Sequence, residues 1–410
     1  MKRLLMVAYH FPPMAGSSGI QRTLRFVQHL PRHGWQPMVL TASIGAYGSR
    51  SDDLMGEIPA GTLVRRAWAL DAGRHLAIGG RYLAALARPD RWASWRFDAV
   101  RVGMQMIREH QPDAIWSTFP VATAHLIGAE LQRRSGLPWV ADFRDPMAQV
   151  GYPADPKTWA QFKAIEETAI RRSRLSLFNT PSAARHYRER YVDCASRIQV
   201  LENGYDEEAF VAASARVNRA LAQPAGAPRV LLHSGIVYPQ ERDPTQLMAA
   251  LRVLHDSGQI QPGGLVVRFR AAVYDELLRD LARQHGVDAY VQLCPPVGYG
   301  EALAEMMQVD GLLVLQASNC NKQIPAKLYE YLRAGRPILC LSDPAGDTAA
   351  VVQQAGIARM ARLDCAAEIA ALLQHCLSGG EQDLMPSAPA VASASREGRT
   401  SQLAQWLNQL

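Results

Sequence analysis

Asn321-Lys322-Gln323-Ile324-Pro325-Ala326-Lys327-Leu328-Tyr329-Glu330-Tyr331-Leu332-Arg333-Ala334-Gly335-Arg336-Pro337-Ile338-Leu339 reads as a polar loop, a short amphipathic helix, a glycine stop and the start of a buried strand. Proline has no amide hydrogen to lose in a first helical turn, so the helix is expected to open at Pro325 and run to about Arg333. Gly335 ends it, because glycine takes the left-handed cap at no steric cost. The unpaired amides at a helix start suit a phosphate. Lys327 adds a point charge there. Glu330, one turn on, can accept hydrogen bonds from the two hydroxyls of a ribose.

Working outward, the same unit recurs. Short apolar runs at 4–9, 37–41, 114–117, 139–142, 175–179 and 198–201 alternate with amphipathic stretches at 21–30, 121–134, 159–172 and 183–191. Residues 45–100 are less regular and include loops. A stretch rich in Ala and Pro, 211–229, has the look of an interdomain connection. The alternation then restarts, with strands at 230–234, 265–269, 290–293, 312–316 and 337–341 and helices at 245–255, 275–285, 301–308 and 327–333. Such βα alternation specifies parallel sheets covered by helices. The fold class expected is therefore α/β, with two Rossmann-like parallel-sheet domains facing a central cleft. The domains are 1–210 and 230–390, and a final helix within 391–410 packs back on the first. Ligand sites belong at the carboxyl ends of the strands, so the loops that follow strands are the places to search.

Three such loops carry candidate chemistry. In His10-Phe11-Pro12-Pro13-Met14-Ala15-Gly16-Ser17-Ser18-Gly19-Ile20-Gln21-Arg22, the glycines Gly16 and Gly19 allow close backbone approach. Ser17, Arg22 and the helix start can donate to an anion or a sugar. The spacing is not Gly-x-Gly-x-x-Gly, so the dinucleotide fingerprint is absent and a dehydrogenase is disfavoured. In Pro138-Trp139-Val140-Ala141-Asp142-Phe143-Arg144-Asp145-Pro146, a buried strand ends in three charged residues, which is costly unless they are paired or used. An internal salt bridge of Arg144 is the competing reading. His125, alone on a helix, reads as structural. In the second half, Gly235 permits backbone approach and Arg242, just before a helix, can hold a diphosphate. Asp-x-Asp occurs nowhere, so no metal–diphosphate chelate is expected and no cofactor is called for.

At 410 residues, 48% hydrophobic and 20% charged, the composition is that of a globular protein. No apolar stretch of about 20 residues occurs, so no transmembrane helix is expected, and the chain reads as cytoplasmic. The six cysteines form no Cys-x-x-Cys pair and sit in apolar runs, as buried reduced thiols do. Residues 1–210 carry 27 Lys and Arg against 20 Asp and Glu, and the remainder 17 against 18. A basic first half suits an anionic partner such as a phospholipid surface or a lipid diphosphate. Arg88-Pro89-Asp90-Arg91-Trp92-Ala93-Ser94-Trp95-Arg96 mixes tryptophan with arginine, and peripheral contact with the cytoplasmic face of the inner membrane, a lid and a structural Trp cluster are equal readings. No basic helix with interleaved aromatics marks a nucleic-acid module.

Taken together, Phe11-Pro12-Pro13, 141–146, Asn203-Gly204-Tyr205-Asp206 and 324–339 resemble, in order and spacing, the group 1 (family 4-like) GT-B glycosyltransferases of bacterial polysaccharide assembly. The resemblance covers nearly the whole chain. It implies transfer of a sugar, with retention and without a metal, from a nucleotide diphosphate to a glycan acceptor, lipid-linked among the options. Glu330 then matches the second glutamate of the family's pair, which holds the donor ribose, while Lys322 stands where the first is usual. Arg242 falls where the family places a diphosphate-binding base. The implied donor contacts are Gly235, Arg242, Pro325, Lys327 and Glu330, and the acceptor contacts Gly16, Ser17, Arg22 and Arg144. Thr118-Phe119-Pro120 stands where a histidine is often found, so Asp142 or Asp145 is the expected catalytic carboxylate. A GT-B nucleotide-sugar epimerase and a non-catalytic nucleotide-sugar-binding or scaffold protein remain the alternatives.

Overall fold

The computed structural model describes residues 1–15, 18–215, 217 and 226–410. The chain divides into two units, Met1–Asn203 with Arg396–Leu410, and Gly204–Ser395.

The first unit is built on seven parallel strands: β1 (Lys2–Val7), β2 (Trp35–Ala42), β3 (Leu63–Ala67), β4 (Ala114–Thr118), β5 (Trp139–Arg144), β6 (Leu175–Phe178) and β7 (Ile198–Val200). Their order is β3-β2-β1-β4-β5-β6-β7. Every residue of β4 and β5 is buried. Helices cover both faces of a parallel sheet, which is why these strands read as continuous apolar runs and not as alternating ones. One face buries Leu5, Val7, Leu40, Ile115, Trp139 and Phe143. The other buries Leu4, Met6, Trp35, Val39, Trp116 and Val140. The region 45–100, expected to be less regular and to include loops, also contains β3 and the start of a 16-residue helix, Trp95–His110.

The terminal helix Arg396–Leu407 packs on helix Ser18–His29 within this unit. Leu403 and Leu407 are fully buried there, each contributing about 1.5–3 kcal/mol. Trp35 donates to Asn408 Oδ1 at 3.0 Å, and Arg396 to Gln21 at 2.9 Å.

The second unit has five parallel strands: β8 (Arg229–Ser234), β9 (Leu265–Arg270), β10 (Val291–Cys294), β11 (Gly311–Gln316) and β12 (Ile338–Ser342), ordered β10-β9-β8-β11-β12. The stretch read from sequence as a connection opens inside a helix of this unit, Glu207–Ser214, which Asp206 caps and whose Phe210 and Ala213 are buried in its core. All six cysteines are unpaired. Among the described residues no helix is long and apolar enough to cross a membrane.

In both sheets the strand order reverses beside the first strand, at β1/β4 and at β8/β11. Loops leaving adjacent strands on opposite faces open a crevice at that point. The candidate residues gather at these two places.

Candidate functional site

In the first unit the two buried charges at the end of β5 have different fates. Asp142 is fully buried. It receives Arg22 Nε at 2.9 Å, Arg22 Nη2 at 2.8 Å and the Thr118 hydroxyl at 3.0 Å. Arg22 continues to the carbonyls of Leu201 at 3.0 Å and Glu202 at 3.2 Å. This pair ties helix Ser18–His29 to β5 and to the exit of β7. The Asp142 carboxylate, expected as a catalytic candidate, is thus enclosed and bonded to a guanidinium, and Arg22, expected at the acceptor, makes its bonds to the protein.

Arg144 and Asp145 remain at the strand end. Arg144 has a left-handed φ of 60°, and the Asp145 amide donates to the Phe143 carbonyl at 2.6 Å, closing a three-residue turn. The β5–β6 register shifts here. Such backbone costs about 1–3 kcal/mol in a residue with a side chain and concentrates at functional sites. Arg144 is buried, with Nη1 3.4 Å from the Phe119 carbonyl and Nε without a partner. Burial and the neighbouring Arg22 charge lower its pKa. Asp145 is exposed, yet partial desolvation by surrounding chain pushes its carboxyl up against the pull of Arg144 and Arg22, and Asn179 donates to it. Asn179 Oδ1 is buried without a partner.

His10 closes this edge. Burial, assisted by the Arg144 charge, holds its imidazole down at about 4, so it is neutral at pH 7. Gly19 is required here, because a Cβ would stand 2.5 Å from His10 Nδ1 and 2.7 Å from Arg144 Nη1. Gly16 and Ser17 lie outside the described residues. His125 is a core histidine: it is fully buried, shares a 2.8 Å hydrogen bond with the Ser117 hydroxyl and lies against Phe143.

The loop after Asp145 is held by a buried carboxylate. Glu166 accepts from the Ala148 amide at 3.0 Å, Tyr191 at 2.7 Å, Arg190 at 2.9 Å and also Tyr187. Tyr187 in turn receives the Met147 amide at 2.9 Å. Burial pushes Glu166 up, but the hydrogen bonds from Tyr187 and Tyr191 outweigh it and hold the carboxyl below its ordinary range.

In the second unit the loop after β8 and the start of helix Ala326–Ala334 meet. Gly235, at φ 111°, leaves room for Lys327, whose Nζ would stand 3.2 Å from a Cβ there. Lys327 donates to His233 Nε2 at 2.9 Å. His233 Nδ1 faces the Leu313 carbonyl at 3.0 Å, so the ring proton sits on Nδ1 and leaves Nε2 to accept. Burial, then the Arg242 charge, takes the Lys327 pKa well below the lysine range, with Glu330 opposing. Arg242 donates to the Ile236 carbonyl and lies over Tyr238, 5.1 Å from its ring centre. Glu330 receives the Tyr299 hydroxyl at 2.9 Å. Pro325 is the cap preceding the helix and not its first turn, with ψ 129° and no side-chain cap. The polar loop ahead of it is anchored by Asn321 to Asp343 at 2.7 Å and by Thr348 to the Gln323 carbonyl at 3.0 Å. Beside the site, a cavity of about 750 Å³ is lined by Ile236, Ala272, Val273, Tyr274, Pro295 and Pro296, among others.

Residues 18–204 match the family model described as "Glycosyl transferase 4-like domain". That stretch, under half of the chain, is similar to the glycosyltransferase 4-like family. The fold of the chain is GT-B. Anabaena HepE, solved in complex with UDP, aligns over 100% of both chains at 16% identity with a TM-score of 0.65. Sucrose-phosphate synthase from Thermosynechococcus elongatus aligns over 100% of this chain and 99% of its own at 14% identity, TM-score 0.63. Trehalose 6-phosphate synthase from Burkholderia multivorans covers 100% and 97% at 13% identity, TM-score 0.63. No curated protein matches the sequence.

Two residues of the second unit escape a reading of sequence. His233 is one more residue of a buried strand until its two nitrogens are seen to join β11 to Lys327. Tyr299 lies 31 positions from its partner Glu330, and no local pattern links them.

Proposed function

We propose that this protein is a glycosyltransferase that moves a sugar from a nucleoside diphosphate donor to the hydroxyl of a glycan acceptor carried on a lipid diphosphate. The observation that carries the donor half is that Lys327, near the start of helix Ala326–Ala334, packs over Gly235 in the loop after β8, while Arg242 holds the Ile236 carbonyl in the same loop. In the proposed complex, Lys327, Arg242 and the first amides of helix Ala326–Ala334 meet the diphosphate. Glu330 holds the ribose, with Tyr299 fixing its carboxylate, and the base turns toward the Pro295–Pro296 cavity. As the sugar–phosphate bond breaks, negative charge grows on the leaving diphosphate, and these fixed donors favour that state over the ground state. With the Arg242 guanidinium and the Lys327 amine as the diphosphate donors, we propose a reaction that needs no metal, and retention follows the family resemblance.

For the acceptor we propose the Arg144–Asp145 turn. A hydroxyl donating to Asp145 is oriented by it, and the raised carboxyl suits partial proton transfer. The partnerless Arg144 Nε and Asn179 Oδ1 support this reading, since buried groups cost about 1–3 kcal/mol until a ligand satisfies them.

The donor assignment is tested by thermal shift with UDP-, GDP-, ADP-, CMP- and dTDP-sugars on wild type and Glu330→Ala. One nucleotide class is expected to raise the melting temperature of wild type by several degrees, with at least half the rise lost in the variant. Folded wild type that no donor stabilises would overturn it.

A further inference from the structure

The Trp–Arg segment that suggested membrane contact turns inward. Trp95 is fully buried, and Arg91 is paired with Asp71 at 2.7 Å. The stretch just before it does the opposite. Ile78-Gly79-Gly80-Arg81-Tyr82-Leu83-Ala84-Ala85-Leu86 is nine consecutive exposed residues, four of them large and apolar. Ile78 is 88% exposed and Leu83 73%.

This is a built loop. Ile78 and Arg81 exchange both backbone hydrogen bonds, at 2.8 and 3.1 Å, across a Gly79–Gly80 tip whose left-handed φ values of 57° and 76° only glycine adopts freely. A second tip of the same construction lies five residues beyond Asp145. Gln149 and Tyr152 exchange bonds at 2.9 and 3.2 Å, leaving Val150 fully exposed and Tyr152 54% exposed. Arg88 pairs with Asp155 at 3.1 Å and ties the two loops together.

Apolar side chains held out on ordered tips, where water contacts them on all sides, are unfavourable unless something covers them. Their surroundings identify the cover. From Arg74 to Arg96 there are five arginines and one acidic residue, Asp90, which is bound to Thr123. Arg81 sits on the first tip itself. With Arg88 and Arg91 paired to Asp155 and Asp71, the exposed Arg81 on the first tip and Arg74 and Arg96 close to it in sequence leave a basic, apolar surface that suits the headgroup boundary of an anionic bilayer.

We propose that the tips at 78–86 and 150–152 form a docking surface for an anionic phospholipid bilayer. The inference rests on the reading of the acceptor as lipid-borne and deepens it, because the second tip continues from the turn that carries Asp145.

Sedimentation of the full chain with phosphatidylglycerol/phosphatidylcholine vesicles tests it against phosphatidylcholine alone. Wild type is expected to bind the anionic vesicles and to weaken with salt. Ile78→Asp/Leu83→Asp/Val150→Asp is expected to bind more than ten-fold less, and Arg81→Glu to lose the preference for anionic lipid. None of these residues touches the donor site, so nucleotide-induced stabilisation should persist in both variants and report that they fold. Wild type that ignores anionic vesicles, or a triple variant that still binds them, overturns the surface. So does a wild-type dimer that the triple variant dissolves, which would make a second copy the cover. If vesicle binding holds but polyprenyl diphosphate added to neutral vesicles brings no gain, the surface stands and the lipid-diphosphate acceptor falls. If nucleotides fail to stabilise while vesicles bind, the donor reading falls and the surface stands.

Discussion

Replacing Asp142 by alanine is expected to lower the unfolding free energy by about 3–5 kcal/mol, the cost of leaving a buried charge without its partner. Arg22 would keep only the Leu201 and Glu202 carbonyls, and it would lie in the same buried edge as Arg144 with no carboxylate between them. For a unit of this size the melting temperature should fall by roughly 10 °C. Denaturant melts followed by tryptophan fluorescence measure it. A loss under about 1 kcal/mol would mean that Asp142 is not what neutralises this edge. Asp142→Asn keeps an acceptor for Arg22 and Thr118, so it should lose less than alanine. If Asp142 were instead a proton acceptor in the reaction, asparagine would abolish activity while leaving the melt nearly unchanged.

Lys327→Ala should lower kcat/KM by about 10²- to 10³-fold, the usual cost of removing one donor aimed at developing charge. Release of nucleoside diphosphate from the donor chosen by thermal shift provides the readout. Its stability should hold or rise, because burial beside Arg242 already disfavours the charged lysine. Lys327→Arg should fail to rescue activity, since the space over Gly235 fits a compact ammonium and a planar guanidinium is wider. The same burial sets a pH dependence. A diphosphate needs Lys327 protonated, and the free protein gives up that proton more easily than ordinary lysine does. Binding therefore takes up protons, and affinity should weaken as pH rises. A pH-independent affinity combined with full activity in Lys327→Ala would remove lysine from the diphosphate site.

Much of the architecture was written in the chain as local pattern. Strands β4, β5, β11 and β12 are buried along their whole length, so each appears as an unbroken apolar run between turn signals. What stayed hidden lacks that contrast. β3, Leu-Val-Arg-Arg-Ala, lies at the sheet edge and is only partly buried, so its arginines disguise it. Helix Trp95–His110 shows weak contrast in sequence, because the large apolar Phe97 stands exposed on its outer face while its buried stripe includes small residues such as Ala99 and Gly103. In the candidate site, the nearness of Lys327 to Glu330 was legible, because residues three apart on one helix share a face. The fates of Asp142 and Asp145 were not. Which of the two meets Arg22 depends on a register shift at Arg144 and on a helix 120 residues away in sequence. Pairing partners of that kind are set by topology, and no spacing rule encodes them.

The central claim is that the second unit grips a diphosphate through Lys327. Calorimetric titration of wild type and Lys327→Ala with the selected nucleoside diphosphate, and with its monophosphate, tests it most directly. The account predicts that wild type binds the diphosphate at least ten-fold more tightly than the monophosphate, and that the gap closes in the variant. Equal affinity for the two nucleotides in wild type, or a gap that survives in Lys327→Ala, would contradict it.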